Sequence, residues 1–266
     1  MRSANPALRP FERPQTWNDA FGTKAVAAAR PKTMTLRGTV TATGILLGIC
    51  TAAAVGSWAM VSQPSGAGAS LAMPVGLGGV LVGLVLALII SFKPRTAPVL
   101  GPFYAAAEGL FLGILSFVVA SRFPPEVGTT LVFQAVGLTF GVAATMLIAY
   151  ATGLIRPGKV FRAVVISATG GICLFYLAAF VGRLLGFDAL SSLLRFDNAS
   201  PLSIGLSLFV VALASLNLVL DFEFIHRGSQ AGLPRHMEWY GGFALLVTLV
   251  WLYIELLRLL SKLRSK

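Results

Sequence analysis

The feature that most constrains this chain is a succession of apolar blocks, each roughly 18 to 25 residues long, the length a hydrocarbon core of about 30 Å demands of a helix. The blocks run from about Thr39 to Val61, Pro74 to Phe92, Val99 to Ser121, Thr129 to Leu154, Val160 to Leu185, Pro201 to Ile225 and Met237 to Leu260. Turn residues and charges separate them: Pro64/Gly66/Gly68, Lys93-Pro94-Arg95, Arg122 with Pro124-Pro125, Arg156-Pro157-Gly158-Lys159, and Gly228 to Pro234. Between Gly186 and Ser200 lies a mixed segment with Asp188, Arg195 and Asp197, read as a short interfacial helix. Only 12 % of the residues are charged and 56 % are hydrophobic, whereas soluble domains carry about a quarter charged residues. The expected fold class is all-α: a polytopic membrane protein with a bundle of seven transmembrane helices. Six spans followed by a re-entrant last segment is the alternative.

The net charge of +11 does not indicate nucleic acid, because no basic run is interleaved with aromatic residues. Lysine and arginine concentrate instead in the N-terminal tail, short loops and the C-terminus. Residues 1–33 read as a mobile basic tail with Arg2, Arg9, Arg13, Lys24, Arg30 and Lys32; residues 34–262 form the transmembrane domain and 263–266 a basic end. A cleaved signal peptide is not expected, since the first apolar run starts late and is too long for an h-region. Alternate loops are positive, which places the N-terminus in the cytoplasm. Seven spans then put Arg258, Lys262, Arg264 and Lys266 outside. Either the last helix is not an ordinary lipid-facing span, or the upstream bias dominates.

Small residues recur at helical spacing in Gly44/Gly48, Gly79/Gly83, Gly109/Gly113 and Gly137/Gly141. Such pairs let helix backbones approach closely, and packing within one bundle is preferred over homodimerisation; the sequence leaves the oligomeric state open. The cysteines Cys50 and Cys173 lie in apolar runs without a CxxC arrangement and read as small buried hydrophobes.

Four of the ten acidic residues, Glu108, Asp221, Glu223 and Glu255, lie within or at the edges of the apolar blocks. A carboxylate there is costly unless protonated, paired or wet, so it reads as functional by default. Asn217 lies four residues before Asp221 on the same helix face and could hydrogen-bond it. Glu223 points elsewhere, toward the headgroups near His226 and Arg227. Arg258 offers Glu255 an i,i+3 ion pair. Glu108, surrounded by Ala105, Ala106, Ala107 and Gly109, faces protein. Glu238 opens the seventh helix, where an acid favours the N-terminal dipole. Two buried carboxylates facing each other cannot both ionise cheaply and share a proton, which makes a proton-sensitive gate. A hairpin turning near Gln230 would set Asp221 opposite about Tyr240, close to Glu238.

Carboxylates with backbone carbonyls suit a hard cation such as calcium. No dense acidic loop for tight storage exists, so a resident metal or cofactor is not expected and calcium would bind transiently. An enzyme is not expected either: the chain has no HExxH, no GxSxG and only two histidines. A proton-coupled transporter lacks support from any internal repeat.

Leu220-Asp221-Phe222-Glu223-Phe224-Ile225 and Leu252-Tyr253-Ile254-Glu255-Leu256-Leu257 resemble the two acid motifs of the Bax inhibitor-1/YccA-like family. Tyr104 to Gly113, with Glu108-Gly109-Leu110-Phe111-Leu112-Gly113, resembles that family's E-G-x-x-L-G helix. The resemblance covers about residues 35 to 262. Met237-Glu238-Trp239-Tyr240 is similar to a stretch of the bacterial branch, which implies the bacterial cytoplasmic membrane. The resemblance further implies a central last helix and a carboxylate pair acting as pH sensor and latch of a passive calcium leak, with Asp221 the first acid and Glu255 the second. Glutamate stands at the second site where the family has aspartate, and the two acids are farther apart than is usual there. Asp221 thus has two candidate partners, Glu255 by resemblance and Glu238 by hairpin geometry. Two functions are carried forward, a pH-sensitive cation leak channel and a non-conducting regulator that binds membrane proteases or other membrane proteins.

Overall fold

The computed structural model describes residues 33–63 and 67–265. The basic tail expected at 1–33 therefore falls, apart from Thr33, outside the described residues. Eight α-helices are described: α1 Leu36–Val61, α2 Ala67–Phe92, α3 Ala97–Ala120, α4 Pro125–Ala151, α5 Lys159–Leu184, α6 Ala189–Leu193, α7 Pro201–Gln230 and α8 His236–Arg264. A 3-10 turn, Pro94–Thr96, joins α2 to α3. Seven of these helices are long and apolar enough to cross a membrane. The last is one continuous helix, so the re-entrant alternative is set aside. The mixed segment does carry a short helix, α6.

Local chemistry explains the boundaries. Ser200 caps α7, its hydroxyl accepting from Ser203 N–H at 3.3 Å, and Pro201 sits at the first helical position, where its missing N–H costs nothing. The α7–α8 turn closes through Gly232 at φ +66°, a left-handed conformation that glycine adopts without Cβ strain. Helix α7 runs through Gly228 to Gln230, so the hairpin turns later than the sequence suggests.

Burial sorts the spans into inner and outer helices. More than half (56 %) of the hydrophobic window of α3 is buried and 50 % of those of α7 and α8, against 17–22 % for the others. Helix α8 packs on α1, α3, α4 and α7, so the last helix is central. Its Phe243, Leu246, Leu252 and Leu257 are buried, and Phe243 meets Tyr104 of α3 edge-on at 4.9 Å. The outer faces of α2, α4 and α5 are apolar and exposed, as a hydrocarbon surround requires. The chain is an integral membrane protein.

Two of the four glycine pairs mediate packing. A Cβ on Gly109 or Gly113 would overlap the Cys50 and Ala54 carbonyls of α1, and one on Gly79 would press on the Ala107 carbonyl of α3. Gly44/Gly48 and Gly137/Gly141 face open space, so for these the packing expectation is corrected. Cys50 is buried, but Cys173 is exposed on α5, contrary to its reading as a buried hydrophobe.

Candidate functional site

The polar interior follows one face of α8. Thr248, Glu255 and Lys262 recur every seven residues, two helical turns apart, and all three are buried. Facing them, α7 presents Ser203, Ser207, Asn217 and Asp221, and α5 presents Thr169 and Tyr176. The result is a polar seam between α5, α7 and α8.

Opposite the middle of α8, Asp221 Oδ2 accepts a hydrogen bond from Thr248 Oγ1 at 2.6 Å. No cation pairs with Asp221 among the described residues. Asn217 does not bond it: its amide donates to Thr169 Oγ1 and to the Leu213 carbonyl, both at 2.9 Å. The expected Asn217–Asp221 bond is thus replaced by an α7–α5 tie. An amide four residues back has its own helix carbonyl in reach, and the neighbouring helix supplies the second partner.

Two turns farther along α8, Glu255 is 1 % exposed. Its Oε1 accepts from Arg258 at 2.6 Å, the expected i,i+3 pair, and from the Tyr176 hydroxyl at 2.6 Å. Arg258 is held over the Phe196 ring at 5.3 Å, a cation–π contact. Glu255 Oε2, Arg258 Nε and Trp251 Nε1 are buried and have no hydrogen-bond partner among the described residues. At the helix end, the Lys262 ammonium is fully buried and donates to the Leu193 carbonyl at 2.9 Å, the Ser203 carbonyl at 3.1 Å and Ser207 Oγ at 2.9 Å.

Neither proposed partner of Asp221 touches it. The Asp221–Thr248 bond sets the register of the hairpin, with Thr248 about 15 Å of helix beyond Glu238 and about 10 Å before Glu255. The hairpin estimate turned at Gln230 and placed Asp221 opposite Tyr240; the observed register is shifted two turns because α7 is still helical at Gln230 and the turn occupies residues 231–235 beyond it. Glu238 has another task. It is 6 % exposed and accepts from the Thr35 backbone N–H at 2.9 Å and the Thr35 hydroxyl at 2.8 Å, with Arg235 at 3.6 Å. Thr35 caps α1, accepting from Gly38 N–H at 2.9 Å. This is a capping box whose glutamate comes from another helix. Glycine stands at 38 because any Cβ there would overlap the Glu238 carboxylate.

Glu108 lies half-buried among α1, α2 and α3, one turn after Tyr104 and with Gly83 of α2 beside it. It is outside the seam, apart from Asn217. Glu223 sits near Arg227 as expected and pairs with it, while Arg162 pairs with it at 3.0 Å and Tyr150 donates to it at 2.8 Å. Among the described residues, no three of His, Cys, Asp and Glu gather closely enough to hold a metal ion.

The ordered acids of the last two long helices and the central α8 agree with a wider comparison. The family model described as Bax inhibitor 1 like matches residues 6–265. The chain belongs to this family. No curated protein matches it in sequence. In this Bax inhibitor 1 like protein, sequence reasoning missed Thr248, Tyr176, Thr169 and Lys262. The seven-residue recurrence of Thr248, Glu255 and Lys262 was the signal available for two of them.

Proposed function

We propose that the protein is a pH-responsive cation leak pathway, with calcium the implied ion and the α7–α8 seam its route. The observation that carries this reading is Asp221: a carboxylate deep in a transmembrane helix, on a polar seam, balanced by a hydroxyl and by no cation. Intramembrane acids of this kind mark ion and proton paths. Proton occupancy of Asp221 sets the charge at the Thr248 end of the seam. The protonated carboxyl offers a passing cation only dipoles, whereas the carboxylate attracts it. Arg258 and Lys262 act as tethered cations at the far end, where Glu255 holds Arg258 in place. Movement of that arginine off Glu255 Oε1 is the opening step. The reading carries no catalytic chemistry, and its ligands are protons and transient calcium.

A non-conducting regulator is the second reading. The tethered cations fill the seam, and the open Gly137/Gly141 face of α4 offers a small-residue stripe to a transmembrane helix of another protein. The bacterial cytoplasmic membrane is the proposed location, with the N-terminus inside. Arg37, Lys93, Arg95, Arg156, Lys159, Arg162, Arg227 and Arg235 belong to the N-terminal end of the bundle. At the opposite end, Lys262 and Arg258 are engaged internally, which reduces the C-terminal charge that conflicts with this orientation.

The test is calcium flux into dye-loaded liposomes across pH 6 to 8. The channel reading expects pH-dependent flux that Asp221→Asn flattens and Glu255→Gln alters. Absence of flux at every pH refutes it and makes membrane partners the function to pursue.

A further inference from the structure

A groove of about 510 Å³ opens between α1 and α4. Thr51, Val55 and Trp58 form one wall, Val136 and Phe140 the other, and Tyr253 of α8 lies in the floor. None of its lining residues is charged. Four of its five hydroxyls are engaged within the protein: Ser116 and Tyr253 bond each other at 2.6 Å, while Thr129 and Thr139 bond carbonyls of their own helix. These walls belong to membrane spans, so the mouth opens on hydrocarbon.

The surroundings select the occupant. From Leu47 to Trp58 the groove follows α1 for about 16 Å of helical rise. Packed carbon atoms lie about 3.5 to 4.0 Å apart, so an extended hydrocarbon chain from the surrounding bilayer lies along α1 in contact with the apolar walls of both helices. At one end stand Trp58, Thr129 only four residues into α4, and the α3–α4 turn with exposed Arg122. The Trp58–Phe117 ring contact at 5.5 Å confirms that the ends of α1 and α3 coincide there. The nearby acid, Asp197, already gives both carboxylate oxygens to Arg195, which leaves Arg122 available to an anionic headgroup.

We propose that the α1–α4 groove binds one acyl chain of a bilayer phospholipid, whose phosphate is held by Arg122. The bound chain lies against Tyr253, two residues before Glu255, so the lipid supports the helix that carries the buried acid.

Photolabelling of the full chain tests this, using phosphatidylcholine vesicles that contain a little phosphatidylglycerol with a diazirine near its acyl terminus. Adducts on Thr51, Val55 and Val136 are expected to exceed those on Leu81 and Val82, on the exposed face of α2, by about tenfold, the enrichment that a preference of about 1.4 kcal/mol for the groove over bulk lipid gives. Equal labelling of wild-type groove and α2 residues overturns the proposal without any variant. Val136→Trp is expected to remove the groove excess and leave α2 labelling unchanged; persistence of the excess overturns the groove as the site. Arg122→Gln is expected to reduce groove labelling by the phosphatidylglycerol probe but not by the same diazirine on uncharged diacylglycerol. Unchanged phosphatidylglycerol labelling in Arg122→Gln overturns the phosphate assignment.

Discussion

The shared capping box at the start of α1 gives the sharpest stability prediction. Glu238→Ala removes two hydrogen bonds to a charged acceptor, from Thr35 N–H and Thr35 Oγ1. Such bonds contribute about 1.5–3 kcal/mol each when buried. Thr35 is exposed, so water or headgroups recover part of this. The carboxylate also lies at the positive ends of both α1 and α8, worth about 0.3–1 kcal/mol per helix. The net expected loss is about 2–3 kcal/mol, or roughly 4 to 12 °C in unfolding midpoint for a chain of this size. Gly38→Ala drives a methyl group into the same carboxylate, an overpacking cost of about 1–3 kcal/mol. The two changes are coupled: once Glu238 is truncated, the methyl at 38 has room. The double variant is therefore expected to be more stable than the sum of the singles by at least about 1 kcal/mol. Helical circular dichroism during reversible unfolding in mixed micelles measures the cycle. Additive losses refute the trans capping box. Loss of the flux pH response in Glu238→Gln, with unfolding unchanged, restores Glu238 as the latch.

Three further outcomes follow from the same contacts. Thr248→Val removes the hydrogen bond that Asp221 accepts from the Thr248 hydroxyl; the midpoint of the flux pH response should move while its maximum amplitude stays. Gly113→Ala pushes a methyl into Ala54 O and Ser57 Oγ and should cost about 1–3 kcal/mol or more, whereas Gly137→Ala faces open space and should gain about 0.5–1 kcal/mol from helix propensity; paired unfolding midpoints check both. In the α6–α7 loop, the hydrogen-bonded Arg195 guanidinium holds the Asp197 carboxyl down to about 2. A depressed folded-state value means that its stabilising contribution is full above about pH 4 and is lost only as pH falls through 2. Asp197→Asn should flatten that acid limb of stability and leave flux between pH 6 and 8 unchanged.

Apolar block length made all seven spans legible, and Pro125, Pro201 and the turn from Gly228 to Pro234 marked several of their ends. The Glu255–Arg258 pair was also readable, because an i,i+3 spacing on one helix fixes proximity without tertiary information. The partner of Asp221 was not. It depends on hairpin register, and a turn at residues 231–235 rather than at Gln230 carries the facing position from Tyr240 to Thr248. Glu238 has the same lesson in reverse: near Asp221 by sequence arithmetic, it is held by Thr35, some two hundred positions away in the chain. Lys262 looked like a topological surface charge, because sequence alone does not show that α6 folds back and supplies the Leu193 carbonyl.

The central claim is that Asp221 sets the charge of the α7–α8 seam and with it the passage of cations. Calcium flux into liposomes containing the wild type and Asp221→Asn, followed from pH 6 to 8, tests it most directly. The account predicts flux that varies with pH in the wild type and no longer varies in Asp221→Asn. A wild type that passes no calcium at any pH, or an Asp221→Asn variant with an unaltered pH profile, contradicts it.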